Sequence, residues 1–340
     1  MRRKRLLVLL AAELLAGSGI ARPPLGLVQA IEMPEVPPGP YADHMALDPD
    51  GQRLFTTPQA AHAVDVLDLR TGTVLRSIRD FDNPHAAFYR GDRGRLFVTD
   101  GKGTLEVLDT RSYRRIKSIR LQADADGIAY DARTGLLYVA NGGADAGKSY
   151  SLVSIIDTVE ETRTGDIRID APALEAMAID NATDSLYVNL PDKNAIAVVD
   201  LKARSIRSVW MLTRATRNEA FALDSAHHAL YVGCNEGDVR GSILVLDTTS
   251  GKELDKLAIG SWVDSMFYDA RRQRIYASTG VGEVFTYERR SDGSYRALDP
   301  VDTAVMARTS LYSAELDRLF VMVPHLGWTS SKVLVFSPLD

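Results

Sequence analysis

Residues 126–158 read DGIAYDARTGLLYVANGGADAGKSYSLVSIIDT. An acidic residue opens the stretch, a short run of small and apolar residues follows, and Asp131, Arg133, Thr134 and Gly135 make a turn. A second run then carries Leu137 and Tyr138, and a third ends at Asp157. Runs of Val, Ile and Tyr a few residues long, separated by Asp/Gly/Asn turns, read as strands rather than helices. The pattern recurs along the chain. An aliphatic residue followed by an aromatic returns at Phe55, Phe97, Tyr138, Tyr187, Tyr231, Tyr276 and Phe320. Twelve positions before these aromatics, with no gap in any copy, stand Asp43, His85, Asp126, Glu175, Glu219, Asp264 and Arg308. The third run ends in the same way in most copies, at Asp68, Asp109, Asp157, Asp200 and Asp247, and a polar turn and a fourth run follow.

Four short strands in about 45 residues is the size of one propeller blade. The chain is therefore predicted to be all-β, a seven-bladed β-propeller with four-stranded blades spanning residues 22–340. The last copy stops after its third strand, at Phe336 to Asp340, while Leu25 to Met33 belongs to no copy. The N-terminal stretch is expected to supply the missing fourth strand. Such pairing closes the ring and removes an exposed sheet edge.

Tyr138-Val139-Ala140-Asn141 and Val153-Ser154-Ile155-Ile156-Asp157-Thr158 resemble the repeat of the YVTN-type β-propellers. The resemblance extends over nearly all of Pro23 to Asp340, with drift at Ala277-Ser278 and Val321-Met322. It implies an extracytoplasmic propeller in many cases, with a seven-bladed fold shared by lactonase-type enzymes and by binding and surface proteins. It implies no single activity.

The N-terminus has the three parts of a secretory signal peptide: Arg2, Arg3, Lys4 and Arg5, an apolar run from Leu6 to Leu15, and small residues through Ala21. Residues 1–21 are read as this signal, with Glu13 an unusual charge inside the apolar run. The run is too short to span a bilayer as a helix, which needs about 20 apolar residues, so no membrane span is expected in the mature chain. Export to the periplasm or the extracellular space follows from this reading. Cleavage would take four basic residues and one acidic residue from the 40 Lys+Arg and 45 Asp+Glu, leaving a formal charge of −8. An acidic surface of this kind argues against nonspecific nucleic-acid binding. The basic residues Arg111, Arg114, Arg115, Lys117 and Arg120 fall where an outer strand meets water. Cys234 is the single cysteine, which excludes an intrachain disulfide. A monomer is expected.

In propeller topology the innermost strand of each blade begins at the mouth of the central channel. The seven register residues, Asp43, His85, Asp126, Glu175, Glu219, Asp264 and Arg308, are thus predicted to ring that mouth. His44 joins them, since the other copies carry Ala, Gly, Ser or Thr at its position. Carboxylates crowded around one opening repel one another and must be protonated, paired or neutralised by a cation. A divalent cation such as calcium suits an oxygen-rich ring, and the histidines would admit zinc, manganese or iron. Asp126, Glu175, Glu219 and His85 are the candidate ligands; a solvated channel lining with Arg308 paired to a neighbour is the plainer alternative.

The connections between second and third strands should surround the same mouth. They are longest at Gly142 to Tyr150, Asn235 to Arg240 and His325 to Ser331, which nominates Lys148, Tyr150, Arg240, His325 and Trp328 as a loop rim. Residues 142–149 match a phosphate-cradling P-loop in form only, because a strand rather than a helix should follow. Asn181-Ala182-Thr183 fits a glycosylation acceptor but lies in a repeat turn. No serine stands in a nucleophile elbow, and Cys234 has no catalytic context.

The leading expectation is an exported binding module that holds a small ligand, a cation or an envelope protein at the acidic mouth. The alternative is a lactonase-like or metal-assisted hydrolase at the same centre. The signal reading makes a direct prediction: after expression in a secreting host, intact mass should correspond to a chain beginning near Arg22. A mature chain retaining Met1 to Ala21 would refute cleavage.

Overall fold

The computed structural model describes residues 23–34, 37–39 and 42–340, so the expected signal peptide lies outside the described residues. Seven antiparallel sheets follow one another along the chain. The first is built from Asp43–Asp48, Arg53–Thr57, Val64–Asp68 and Thr73–Ile78, and this order from the centre outward repeats in the next four. Among the described residues there is no α-helix, only short 3-10 turns. The protein is a seven-bladed β-propeller.

The N-terminal strand Leu25–Glu32 pairs with the last strand Lys332–Pro338, giving the seventh blade its outer strand. Backbone bonds from Met33 N–H to Ser331 O (3.0 Å) and from Leu339 N–H to Pro24 O (2.9 Å) extend this closure at both ends. The sixth blade departs from the regular plan. Its fourth strand is split into Tyr295–Ala297 and Val301–Asp302, both against Glu283–Arg289. Pro300 lies in the gap, where it offers no N–H to the ladder.

The aspartates that end the third strands do so by folding back on their own turn. Asp68, Asp109, Asp157, Asp200 and Asp247 each accept the N–H groups two and three residues ahead, as with Thr249 (3.0 Å) and Ser250 (2.8 Å) at Asp247. A short acceptor side chain thus takes over donors that the strand ladder would otherwise use.

The seven repeat aromatics are at most 1 % exposed, and each sits in a separate apolar cluster. Every cluster joins two neighbouring blades. Phe97 packs with Leu137 and Val139 of the next blade, Tyr187 with Leu230 and Val232, and Phe320 with Leu54 across the ring closure. The core is therefore seven interfaces arranged in a circle rather than one central mass. The channel remains free for other chemistry.

Phe97→Ala should cost about 3–5 kcal/mol in chemical denaturation, as for other fully buried aromatics. Deleting residues 25–32 should leave Lys332–Pro338 as an unpaired edge and produce self-association in size-exclusion chromatography. A truncated chain that stays monomeric and unfolds at an unchanged midpoint would show that closure is dispensable.

Candidate functional site: the channel mouth

The register residues stand at, or just before, the start of the innermost strands, and local irregularity aims three of them together with His44. In the fifth blade Asn218 pairs with Cys234 and Ala220 with Gly233, which leaves Glu219 as an extra residue. In the sixth, Val263 pairs with Thr279 and Ser265 with Ser278, leaving Asp264. Comparable bulges fall between Asp43 and Ala46, at His44-Met45, and between Pro84 and Ala87, at His85-Ala86. A bulge bends the strand and re-aims a side chain. The repeat pattern gave no sign of these bulges.

One sector of the ring is built on Asp43. Its carboxylate receives His85 Nδ1 at 3.0 Å and the Gln59 amide at 2.8 Å, while His44 Nε2 lies 3.6 Å away. His85 Nδ1 is also 3.6 Å from Asp126, and the Asn83 amide faces His85 Nε2 at 2.8 Å. Burial disfavours a charged His85, but the Asp43 hydrogen bond and the Asp126 and Asp43 charges outweigh it and push its pKa up to about 9. The group facing Nε2 is the Asn83 amide nitrogen, Nδ2, so a doubly protonated ring requires that amide to turn and present its oxygen. Burial likewise opposes an ionised Asp43, yet the two histidines hold its pKa below the ordinary value. His44 is raised because Asp43, Asp264 and Asp126 together overcome its burial.

The opposite sector is built on Arg308. Its guanidinium bonds Glu219 at 3.1 Å and approaches Asp264 at 3.7 Å. Thr309 Oγ1 donates to Asp264 at 2.8 Å, and the Asn235 amide donates to Glu219. Even so, burial and Asp264 push the Glu219 pKa up to about 7. Burial and Asp43 do the same for Asp126, also to about 7.

Glu175 lies between the sectors. Its carboxyl makes no hydrogen bond among the described residues, and burial together with the charges of Asp126, Glu219, Asp264 and Asp43 raises its pKa well above the ordinary range. Apart from His44, which is 37 % exposed, the paired ring side chains keep 13 % to 25 % of their surface exposed, so they are partly desolvated yet reachable from the channel.

Asp43, His44 and Asp126 offer ligand atoms within 4.8 Å of one another, the one such group among the described residues. Of the four expected ligands only Asp126 belongs to it; His85 is engaged by Asp43, and Glu219 by Arg308 and Asn235. Beneath the ring is a cavity of about 260 Å³ whose wall includes His44 and Asp264 at the top and Met45, Phe88, Tyr130, Met177, Phe221 and Phe267 below.

The rim residues are scattered. Lys148 lines a groove with Lys102 and Arg120, Tyr150 lies under the Arg168 guanidinium at 3.8 Å, and Arg240 and Trp328 are exposed. His325 accepts Gly39 N–H through its backbone oxygen at 3.0 Å. Residues 142–149 enter a 3-10 turn, Gly143–Ala146, and then the strand Ser151–Asp157, without a phosphate-binding helix. Cys234 is fully buried, which pushes its thiol pKa up and leaves it unreactive.

Gln59 and Asn235 were not anticipated as ring partners. Both stand four residues beyond their repeat aromatic, where the other copies have Gly or Pro, and that shared departure was a usable signal.

No family model matches the chain. It is 24 % identical over 233 residues to the uncharacterized protein YncE of Salmonella typhimurium, and equally to that of Salmonella typhi. The match covers 66 % of this chain and 60 % of those relatives, so it spans less than two thirds of their length. Among solved structures, the chain superposes on the Kuenenia stuttgartiensis hydrazine synthase with a TM-score of 0.70 at 17 % identity, covering 85 % of this chain and 93 % of that one. The RRP9 WD40 repeats give 0.74 at 12 % identity over 94 % and 100 % of the two chains. These likenesses speak to the propeller fold alone.

The ring makes stability depend on pH. Asp126 and Glu219 hold protons to about pH 7 in the fold, against ordinary values of 3.8 and 4.5. The unfolded chain binds fewer protons across that window, so stability falls as pH rises through it. His85 adds stability that is complete below 6.5 and is lost as pH rises through about 9. Without added cations, the denaturation midpoint should therefore decline from about pH 4.5 to 9. Asp126→Asn with Glu219→Gln should flatten the lower half of that decline and leave the upper half; an unaltered profile would contradict the assignment.

Proposed function

We propose that the protein is an exported binding module that takes a cationic group at its channel mouth. Glu175 carries this reading. A half-buried carboxyl without a hydrogen bond among the described residues, set among four others, is electrostatically unsatisfied as an anion, and Arg308 and His85 are already committed elsewhere. A cation entering the ring would offset both the burial and the mutual repulsion that raise the pKa values of Asp126, Glu175 and Glu219. Binding near neutral pH should then release protons.

A second reading, a metal-assisted hydrolase, draws on the closeness of Asp43, His44 and Asp126. Two oxygens and one nitrogen fit a borderline metal such as zinc or manganese, and a bound metal supplies Lewis acidity and an acidified water. In that case Asp43 would have to serve the metal and His85 together.

The two readings separate in calorimetry. With methylammonium chloride or calcium chloride as titrant at pH 7, we expect binding whose enthalpy varies with the buffer's ionisation enthalpy in the sense of proton release. The combined variant Asp126→Asn, Glu175→Gln, Glu219→Gln should lose it. Absence of binding by either cation would overturn the cation reading. Lactone or ester hydrolysis that chelation abolishes would favour the enzyme.

A further inference from the structure

We propose, on the basis of the cation reading above, that the ligand is an amphipathic organic ammonium whose apolar tail enters the channel beneath the ring. The acidic ring alone does not require this, because a hydrated inorganic cation would satisfy the carboxylates equally well. The cavity below it supplies the independent observation. Its wall is formed by residues zero to four positions along the inner strands from the register residues, so it opens directly under the carboxylates. His44 and Asp264 belong to both ring and cavity.

Below that level the wall is dominated by Phe88, Tyr130, Met177, Phe221, Met266 and Phe267. Solvent gains little from such a wall, whereas a hydrocarbon gains its transfer free energy. Aromatic rings near the mouth also favour an ammonium, through attraction of the cation to their faces. Ser265 adds a specific feature. It lines the cavity at 4 % exposure, and its hydroxyl makes no hydrogen bond among the described residues. Small-ligand sites commonly combine an apolar wall with a few polar groups of this kind, which set orientation. The volume of about 260 Å³ limits the tail to a short chain or a single ring.

The arrangement also sorts ligands by charge. A carboxylate or phosphate with the same tail would face the ring's own negative charge, and a neutral alcohol would leave Glu175 as it is. An ammonium with a tail satisfies both levels at once.

Calorimetric titration at pH 7 with the n-alkylammonium series from methyl to hexyl, beside calcium chloride, tests the proposal. The affinity should rise about two- to fourfold per methylene until the cavity is filled. Met177→Gln, nearly isosteric, should flatten that rise, with thermal melting used to verify that the variant folds. Binding of methylammonium or calcium with no dependence on chain length would overturn the proposal while leaving a cation site at the mouth. A slope unchanged in Met177→Gln would overturn the placement of the tail. Failure of every cation to bind would remove both the site and its ligand.

Discussion

Antiparallel pairing between Leu25–Glu32 and Lys332–Pro338 is the contact that makes the other parts of the structure possible. Six blade-to-blade interfaces can form along a chain in sequence order; the seventh, where Phe320 meets Leu54, requires the ends to meet. Each interface is an apolar cluster around one buried aromatic, so no blade has a core of its own. A repeat architecture of this kind derives its stability from neighbours. Closing the circle converts two terminal blades, each with one face bare, into ordinary members of the ring.

The same closure leaves a channel, and the channel concentrates charge. Because every blade starts its inner strand at the mouth, one register position is displayed seven times within a small opening. Identical residues there would be uniformly repulsive. The seven positions have instead diverged into Asp43 held by His85, Glu219 and Asp264 held by Arg308, and Glu175 left between them. Partial burial makes this distribution matter, since charges in a partly desolvated opening interact more strongly than on an open surface. The result is a mouth whose carboxyls at Asp126, Glu175 and Glu219 are biased toward the protonated form by burial and by one another's charge.

Below the mouth the character of the wall changes within one or two residues, from carboxylates to Phe, Met and Tyr. Period-two alternation along a strand would place successive residues on opposite faces. The bulges at His44-Met45, His85-Ala86, Glu219 and Asp264 break that alternation, so residues adjacent in sequence both reach the channel. His44 and Met45 illustrate the consequence: an ionisable group and an apolar one, side by side in the chain, line the same cavity.

The sequence by itself determined the blade count, the strand order and the closing strand, because these rest on spacing: seven aromatics in register, aspartates at strand ends, and an unassigned N-terminal stretch set against a last copy that lacks its fourth strand. Such features are local and periodic, and each copy reports the same physical requirement. It also indicated which residues surround the mouth, since propeller topology assigns them one place. Only the tertiary structure decided who meets whom. That Arg308 reaches Glu219 and Asp264, that Asp43 is shared by His85 and Gln59, and that the Glu175 carboxyl makes no hydrogen bond among the described residues depend on bulges and rotamers in different blades. These contacts link residues far apart in the chain, at positions where the repeat is free to vary. No periodic pattern encodes them; distance across the channel does.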